Sequence, residues 1–167
     1  MRPGRLSRLG FLGPGERLTD VLARDEATMR DLGLSCTQLT GVLAGLLGRA
    51  EGSPRRRITV DQRFDVSVTV FKGFQICPWA ASPHRGQCDA AGGPRFASLD
   101  WTIQNLRTGQ REHGPGLLEH LIGAHHFFEG EQSPYRVPPA SLAALLELHP
   151  AGCLCAAPGP TRSGPVT

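Results

Sequence analysis

The spacing of apolar residues along this chain changes from the period of a helix to the period of a strand. Over residues 16–50, leucine and valine recur every three or four positions in two blocks separated at Gly33, which is the pattern of amphipathic helices. Ser35 stands where the N-cap of the second helix is expected. Over residues 64–70, apolar residues alternate with polar ones, which indicates a half-buried β-strand. The sequence therefore predicts a helical hairpin followed by a sheet.

Three further elements follow from the remaining patterns. LDWTIQNL places Leu99, Trp101 and Ile103 on one side of a second strand. A helix is predicted over residues 114–130, with Pro115 in its first turn, and PPASLAALLEL predicts a final helix. The predicted fold class is α+β: an N-terminal helical hairpin, then a small antiparallel β-sheet packed by a histidine-containing helix and a C-terminal helix.

The chain has 167 residues, enough for one compact core, and its glycine and proline residues concentrate toward the ends and the loops. Low apolar content with many Gly, Pro and Ser residues is typical of segments that cannot form a core. The predicted organisation is a flexible N-terminus over 1–15, the hairpin over 16–50, a basic linker over 51–57, an α+β zinc-binding domain over 58–148 and a disordered tail over 149–167.

Charge and hydropathy limit the partners and the cellular compartment that we expect for this chain. The net charge is +3, only one basic residue is lysine, and the only basic run is 55–57, which favours a solvated linker over a phosphate-binding surface. No stretch approaches the ~20 apolar residues that a membrane-spanning helix needs, and glycines interrupt the apolar start of the chain. We therefore expect a cytoplasmic protein that does not bind membranes, in which cysteines are metal ligands or core residues.

Three of the six histidines lie in the predicted helix over 114–130. At about 100° per residue, His120 and His125 flank the apolar face of this helix and His126 points away from it. Five positions separate the two flanking imidazoles, and this spacing lies within the range seen between histidine ligands of zinc. The sequence therefore favours His125 over His126 as the partner of His120.

Thiolates are the ligands that would complete such a site, and Cys77 and Cys88 are the cysteines nearest the predicted strands. Two thiolates and two neutral imidazoles around Zn²⁺ carry no net charge, which suits a small domain. The ten residues between Cys77 and Cys88 match no familiar zinc-finger spacing. We predict a structural Zn²⁺ site formed by Cys77, Cys88, His120 and His125. His84 or His126 are alternative ligands, and packing without metal is the other interpretation.

The function predicted from this site is that of an interaction or regulatory module, with a protein partner or with self-association through the N-terminal hairpin. One alternative is a small metal-dependent hydrolase, in which three ligands leave a water on the metal and Glu119 or Glu129 accepts its proton. We favour the absence of enzymatic activity, because four ligands are at hand and no HExxH pattern occurs.

Nucleic-acid binding is the second alternative. Arginine and aromatic residues near the predicted histidine helix could form a binding patch. They are Arg107, Arg111, Arg136, Phe127 and Tyr135. The segment LGLSCTQL also has the turn chemistry of a helix-turn-helix, but its second helix lacks the basic and amide-rich face of a recognition helix. Nucleic acid is therefore a less favoured partner than protein.

Overall fold

A computed structural model describes residues 1, 10–80, 88, 90 and 96–149. The predicted tail over 149–167 lies outside the described residues apart from its first residue, and the predicted flexible N-terminus lies partly outside them. The predicted loop that carries His84 also lies mostly outside them. Where the N-terminal segment is described, Phe11 and Leu12 are buried.

The N-terminal helical hairpin is confirmed. Helix α1 spans Leu18–Asp31 and helix α2 spans Cys36–Glu51. The Ser35 hydroxyl accepts the backbone N–H of Gln38, and the Gln38 side chain accepts the backbone N–H of Ser35. This capping box satisfies two amides that the first turn of a helix leaves without partners. Gly33 adopts a φ of 62° in the connection, a conformation that glycine reaches without strain.

The sheet contains four antiparallel strands within the described residues, in the order β1-β2-β3-β4. Their bounds are Arg57–Val60, Phe64–Ile76, Phe96–Asn105 and Arg111–Pro115. The alternation over 64–70 and the strand around Trp101 are confirmed. Strands β1 and β4 have no counterpart in the sequence prediction, because both are short and β4 reads REHGP, without apolar alternation. Their pairing with longer neighbours makes them strands.

The histidine helix, α3, is shorter than predicted and spans Leu117–His125. The prediction that Pro115 lies in its first turn is wrong, since Pro115 ends β4. The helix ends at His126, whose φ of 53° is left-handed, a common helix-terminating geometry. The C-terminal helix α4 is confirmed over Pro139–Leu145, with a proline in its first turn. No helix within the described ranges is long and apolar enough to cross a bilayer.

Two groups of buried side chains hold these elements together. The larger one joins leucines of α2 to Val66, Trp101 and Ile103 on one face of the sheet and to α3 and α4. The smaller one contains buried residues from the N-terminal segment, α1, the end of β2 and α3. They are Phe11, Leu12, Val21, Cys77, Cys88, Leu117, Leu121 and Phe127. The described residues thus form the predicted α+β fold, and two of the smaller group's eight buried members are thiols.

Candidate metal centre

The four side chains predicted to be metal ligands lie close together in the structure. Cys77 directly follows β2, Cys88 lies further along the chain, and His120 and His125 belong to α3. One potential ligand atom from each lies within 4.8 Å of the other three. Cys77, Cys88 and His120 are buried and His125 is half-buried. The group could therefore hold a metal ion.

The distances inside this group match a metal site in scale. The Nε2 atom of His125 lies 3.3 Å from Sγ of Cys77 and 3.2 Å from Sγ of Cys88. Tetrahedral zinc with typical bond lengths places a sulfur and a nitrogen ligand about 3.5–3.6 Å apart, so a slight outward movement of the side chains would accommodate the ion. A single imidazole nitrogen carries either one proton or one lone pair in the ring plane. It cannot form two well-directed hydrogen bonds to two thiols, whereas one cation can bind all three atoms.

The buried imidazole of His120 is an independent indication that a cation fits this group. The residue is 2% exposed, and within the part of the chain that the structure describes neither ring nitrogen has a hydrogen-bond partner. Burying a polar group without a partner typically costs about 1–3 kcal/mol, so native structures rarely contain one. The imidazole lies 5.2 Å from that of His125, centroid to centroid, at an interplanar angle of 83°. A metal bound between the two histidines would satisfy one nitrogen of each.

Burial sets the protonation of the group. It lowers the pKa of His125 to about 4, helped by the nearby His120 and His126, and it lowers the pKa of His120. Both imidazoles are therefore neutral at physiological pH, as metal ligands must be. Burial also raises the pKa of Cys77 to about 12, opposed by hydrogen bonds from the backbone of Trp79 and Ala80. Without a cation, the Cys77 side chain is a thiol.

Two aromatic residues that the sequence did not assign to the metal site adjoin it. The indole of Trp79 stacks on the imidazole of His125, with ring centroids 4.1 Å apart and an interplanar angle of 5°. Phe127 packs edge-on against Trp79, at 5.3 Å and 72°. The adjacency of Trp79 to Cys77 was the one sequence signal of this arrangement, because a turn at Pro78 brings neighbours in sequence to the same place.

Other residues considered from sequence lie outside the group. His126 is exposed at the end of α3. Among the residues that the structure describes, no carboxylate joins the four ligand atoms, so neither Glu119 nor Glu129 does. Glu119 is half-buried near Glu51 of α2, and burial raises the pKa of its carboxyl group. Glu129 is fully buried and accepts a hydrogen bond from Ser133. His84 lies outside the described residues.

The aromatic residues of the possible nucleic-acid patch are wholly or partly buried. Phe127 is fully buried in the smaller group, where it packs against Trp79. Phe127 therefore does not contribute to an exposed binding patch, because the chain turns at the left-handed His126 and the next side chain packs inward. Tyr135 is half-buried.

The arginines of that patch are engaged in different ways. Arg107 donates to the buried carboxylate of Glu147. Arg136 binds Asp25 through two hydrogen bonds in the protein interior. Arg111 is exposed on β4. Two of the three guanidinium groups thus already neutralise a carboxylate of the same chain.

Comparison with protein-family models, with curated proteins and with solved structures gives no match for this chain.

Proposed function

We propose that this chain is a small zinc-binding protein whose Cys77, Cys88, His120 and His125 form a structural site, and that the domain acts as an interaction or regulatory module. One observation carries the proposal. Nε2 of His125 lies within 3.3 Å of both sulfurs, while both nitrogens of the buried His120 lack partners among the described residues. The hydrogen bonds among the described residues do not satisfy these groups, and one cation would bind both sulfurs and one nitrogen of each imidazole.

Zinc is the ion that the donor set favours. Two thiolates and two imidazoles in a tetrahedral arrangement are typical of zinc and iron sites, and zinc is the common choice for a mononuclear Cys2His2 site. Its two positive charges cancel the two thiolate charges, so the buried site is neutral. That neutrality removes the penalty that isolated charges would pay in an apolar surrounding.

A structural role is better supported than metal-dependent hydrolysis. Four protein atoms converge, and three of the four side chains are buried, whereas catalytic zinc keeps one position for water or substrate. No carboxylate within the described part of the chain stands in the group to accept a proton. The centre instead joins the end of β2, Cys88 and α3 within the smaller buried group. Among the described residues this group contains only eight buried side chains, so the free energy of metal binding would add to a small apolar contribution to folding.

The same atoms do not favour a cysteine nucleophile. A catalytic cysteine–histidine pair has a thiolate beside an imidazolium and lies open to substrate. Here burial raises the pKa of Cys77 to about 12 and lowers that of His125 to about 4, so both groups are neutral. Cys77 is also inaccessible to solvent.

We propose the interaction role by elimination, because the four-ligand site leaves no place for chemistry. A metal with four protein ligands offers no position for a substrate, so any partner must bind the surface. We retain self-association through the hairpin of α1 and α2 as the specific form of this proposal. It predicts a defined dimer by size-exclusion chromatography with light scattering, and a monomer at all accessible concentrations contradicts it. Nucleic-acid binding predicts retention that weakens steeply with salt and with Arg111→Ala.

The first experiment is elemental analysis of metal in purified protein. We expect one zinc ion per chain in wild type and loss of zinc in four single variants. These are Cys77→Ser, Cys88→Ser, His120→Ala and His125→Ala. Two matched controls should keep the zinc: His126→Ala, which removes the adjacent exposed imidazole, and Cys36→Ser, which removes a thiol outside the group.

Two results would overturn the proposal. One is wild-type protein that folds and unfolds identically with and without a strong chelator. The other is zinc that persists in the four ligand variants but disappears in His126→Ala or Cys36→Ser. A metal that exchanges bound water readily in the loaded protein would replace the structural role with the catalytic one.

A further inference from the structure

The imidazole of His125 directs Nε2 toward the two sulfurs, and an aromatic ring covers one of its faces. Trp79 covers one face of the ring almost in parallel, at 4.1 Å and 5°. Phe127 in turn presses edge-on against Trp79 from a position two residues beyond His125. Flat stacking at this separation restricts rotation of the imidazole out of its plane. The plane of the ring determines where Nε2 points.

The segment from Cys77 to Ala80 couples this stack to a ligand. The backbone N–H of Ala80 donates to the carbonyl of Cys77 at 2.9 Å, which closes a four-residue turn with Pro78 at its second position. The fixed φ of proline suits that position. One turn therefore supplies both the Cys77 sulfur, 3.3 Å from Nε2 of His125, and the indole that covers the same imidazole.

Metal-bound histidines are usually oriented by a hydrogen bond from their second ring nitrogen to a carboxylate or carbonyl. For His125, the polar contacts found among the described residues are the two sulfurs, and both face Nε2. We propose that Trp79 is the positioning residue of the metal centre: its stacked indole does for His125 what a hydrogen bond to the second nitrogen does elsewhere. This inference rests on the proposed metal-binding function.

The test compares Trp79→Phe with Trp79→Leu. Phenylalanine keeps a flat ring that can stack on His125, whereas leucine keeps apolar volume without a flat face. We expect Trp79→Leu to weaken zinc binding by about 10–100-fold, the loss typical of removing an orienting partner, and Trp79→Phe to restore most of it. Affinity is measured by competition with a chromophoric chelator. In Co²⁺-loaded protein, the d–d absorption bands should shift in Trp79→Leu and stay near wild type in Trp79→Phe.

Trp101→Phe is the matched control, because Trp101 is the only other tryptophan of the chain and packs in the larger buried group. It should lower the free energy of unfolding without changing zinc affinity or the Co²⁺ bands. The proposal is overturned if Trp79→Leu binds zinc as tightly as wild type, or if Trp79→Phe loses as much affinity as Trp79→Leu.

A measurement on wild type keeps the inference testable if Trp79→Leu does not fold. In the zinc-loaded protein, the ring current of a stacked indole should move the carbon-bound protons of His125 to low chemical shift. Ordinary shifts for those protons would overturn the stack. Failure of the metal proposal is recognised separately, since wild-type protein would then hold no stoichiometric zinc or cobalt.

Discussion

Replacing Arg136 tests how this chain stabilises a charge in its interior. Arg136 joins Asp25 of α1 to the segment after α3 through hydrogen bonds of 3.0 and 2.5 Å. The side chains are 10% and 2% exposed. The same guanidinium also donates to the carbonyl of Glu129 at 2.5 Å. Arg136→Met removes these donors and leaves the Asp25 carboxylate buried without its counter-charge.

The expected cost of Arg136→Met is about 3–5 kcal/mol of the free energy of unfolding, because breaking one side of a buried pair leaves an uncompensated charge. That is a large part of the about 5–15 kcal/mol that stabilises a typical domain. The double variant Asp25→Leu/Arg136→Met should be markedly more stable than Arg136→Met alone, since both charges are then gone. The assay is urea unfolding of the purified protein, followed by circular dichroism.

The chain offers a matched control for this prediction. Arg57 binds Asp65 with the same two distances, 3.0 and 2.5 Å, but the arginine side chain is 67% exposed. Arg57→Met should leave stability nearly unchanged, because water and salt screen an exposed pair. If Arg57→Met and Arg136→Met destabilise the protein equally, burial does not determine the strength of these pairs and the reasoning is refuted.

Three further predictions follow from individual contacts. A Cβ on Gly114 would lie 2.7 Å from the buried ring of Trp101, so Gly114→Ala should cost about 1–3 kcal/mol and alter tryptophan fluorescence; unchanged thermal unfolding and emission would contradict it. Burial raises the pKa of Glu129 from 4.5 to about 7. The folded state then holds this proton more tightly than the unfolded chain, and wild type loses stability as pH rises through that window. Glu129→Gln escapes that loss, so its stability relative to wild type should rise by up to about 3 kcal/mol between pH ~4 and ~8; a difference independent of pH would show that Glu129 titrates normally. Burial, with the charge of Asp25, raises the pKa of Cys36. Iodoacetamide should therefore modify Cys36 slowly at neutral pH, and rapid modification seen by mass spectrometry would refute an inert thiol.

The fold was predictable where a local pattern repeats. Alternation over 64–70 and helical spacing over 16–50 are each long enough to report which face is buried, and the structure confirms both. Strand β4 was not predictable, because five residues reading REHGP carry no period. Its hydrogen bonds to β3 define it, with Gly114 opposite Trp101 and His113 opposite Thr102.

The grouping of the four candidate ligands was also predictable in part. The position of His125 on the apolar side of α3 distinguished it from His126, because neighbours in a helix point about 100° apart. The separation of Cys77 from Cys88 carried no comparable signal. The burial of Phe127 was not predictable from the sequence, since it depends on the left-handed conformation of His126, which ends α3 directly before it.

By itself, the sequence determined which residues are apolar and at what period, and therefore the two helices of the hairpin, the long strands and the face of α3 that turns inward. Tertiary structure alone decided the contacts that no sequence pattern indicated: Trp79 stacked on the imidazole of His125, and Arg136 paired with Asp25. The physical reason is range. Periodicity reflects the geometry of a few successive residues, whereas a metal centre or a buried ion pair depends on chain segments that only the packed core brings together.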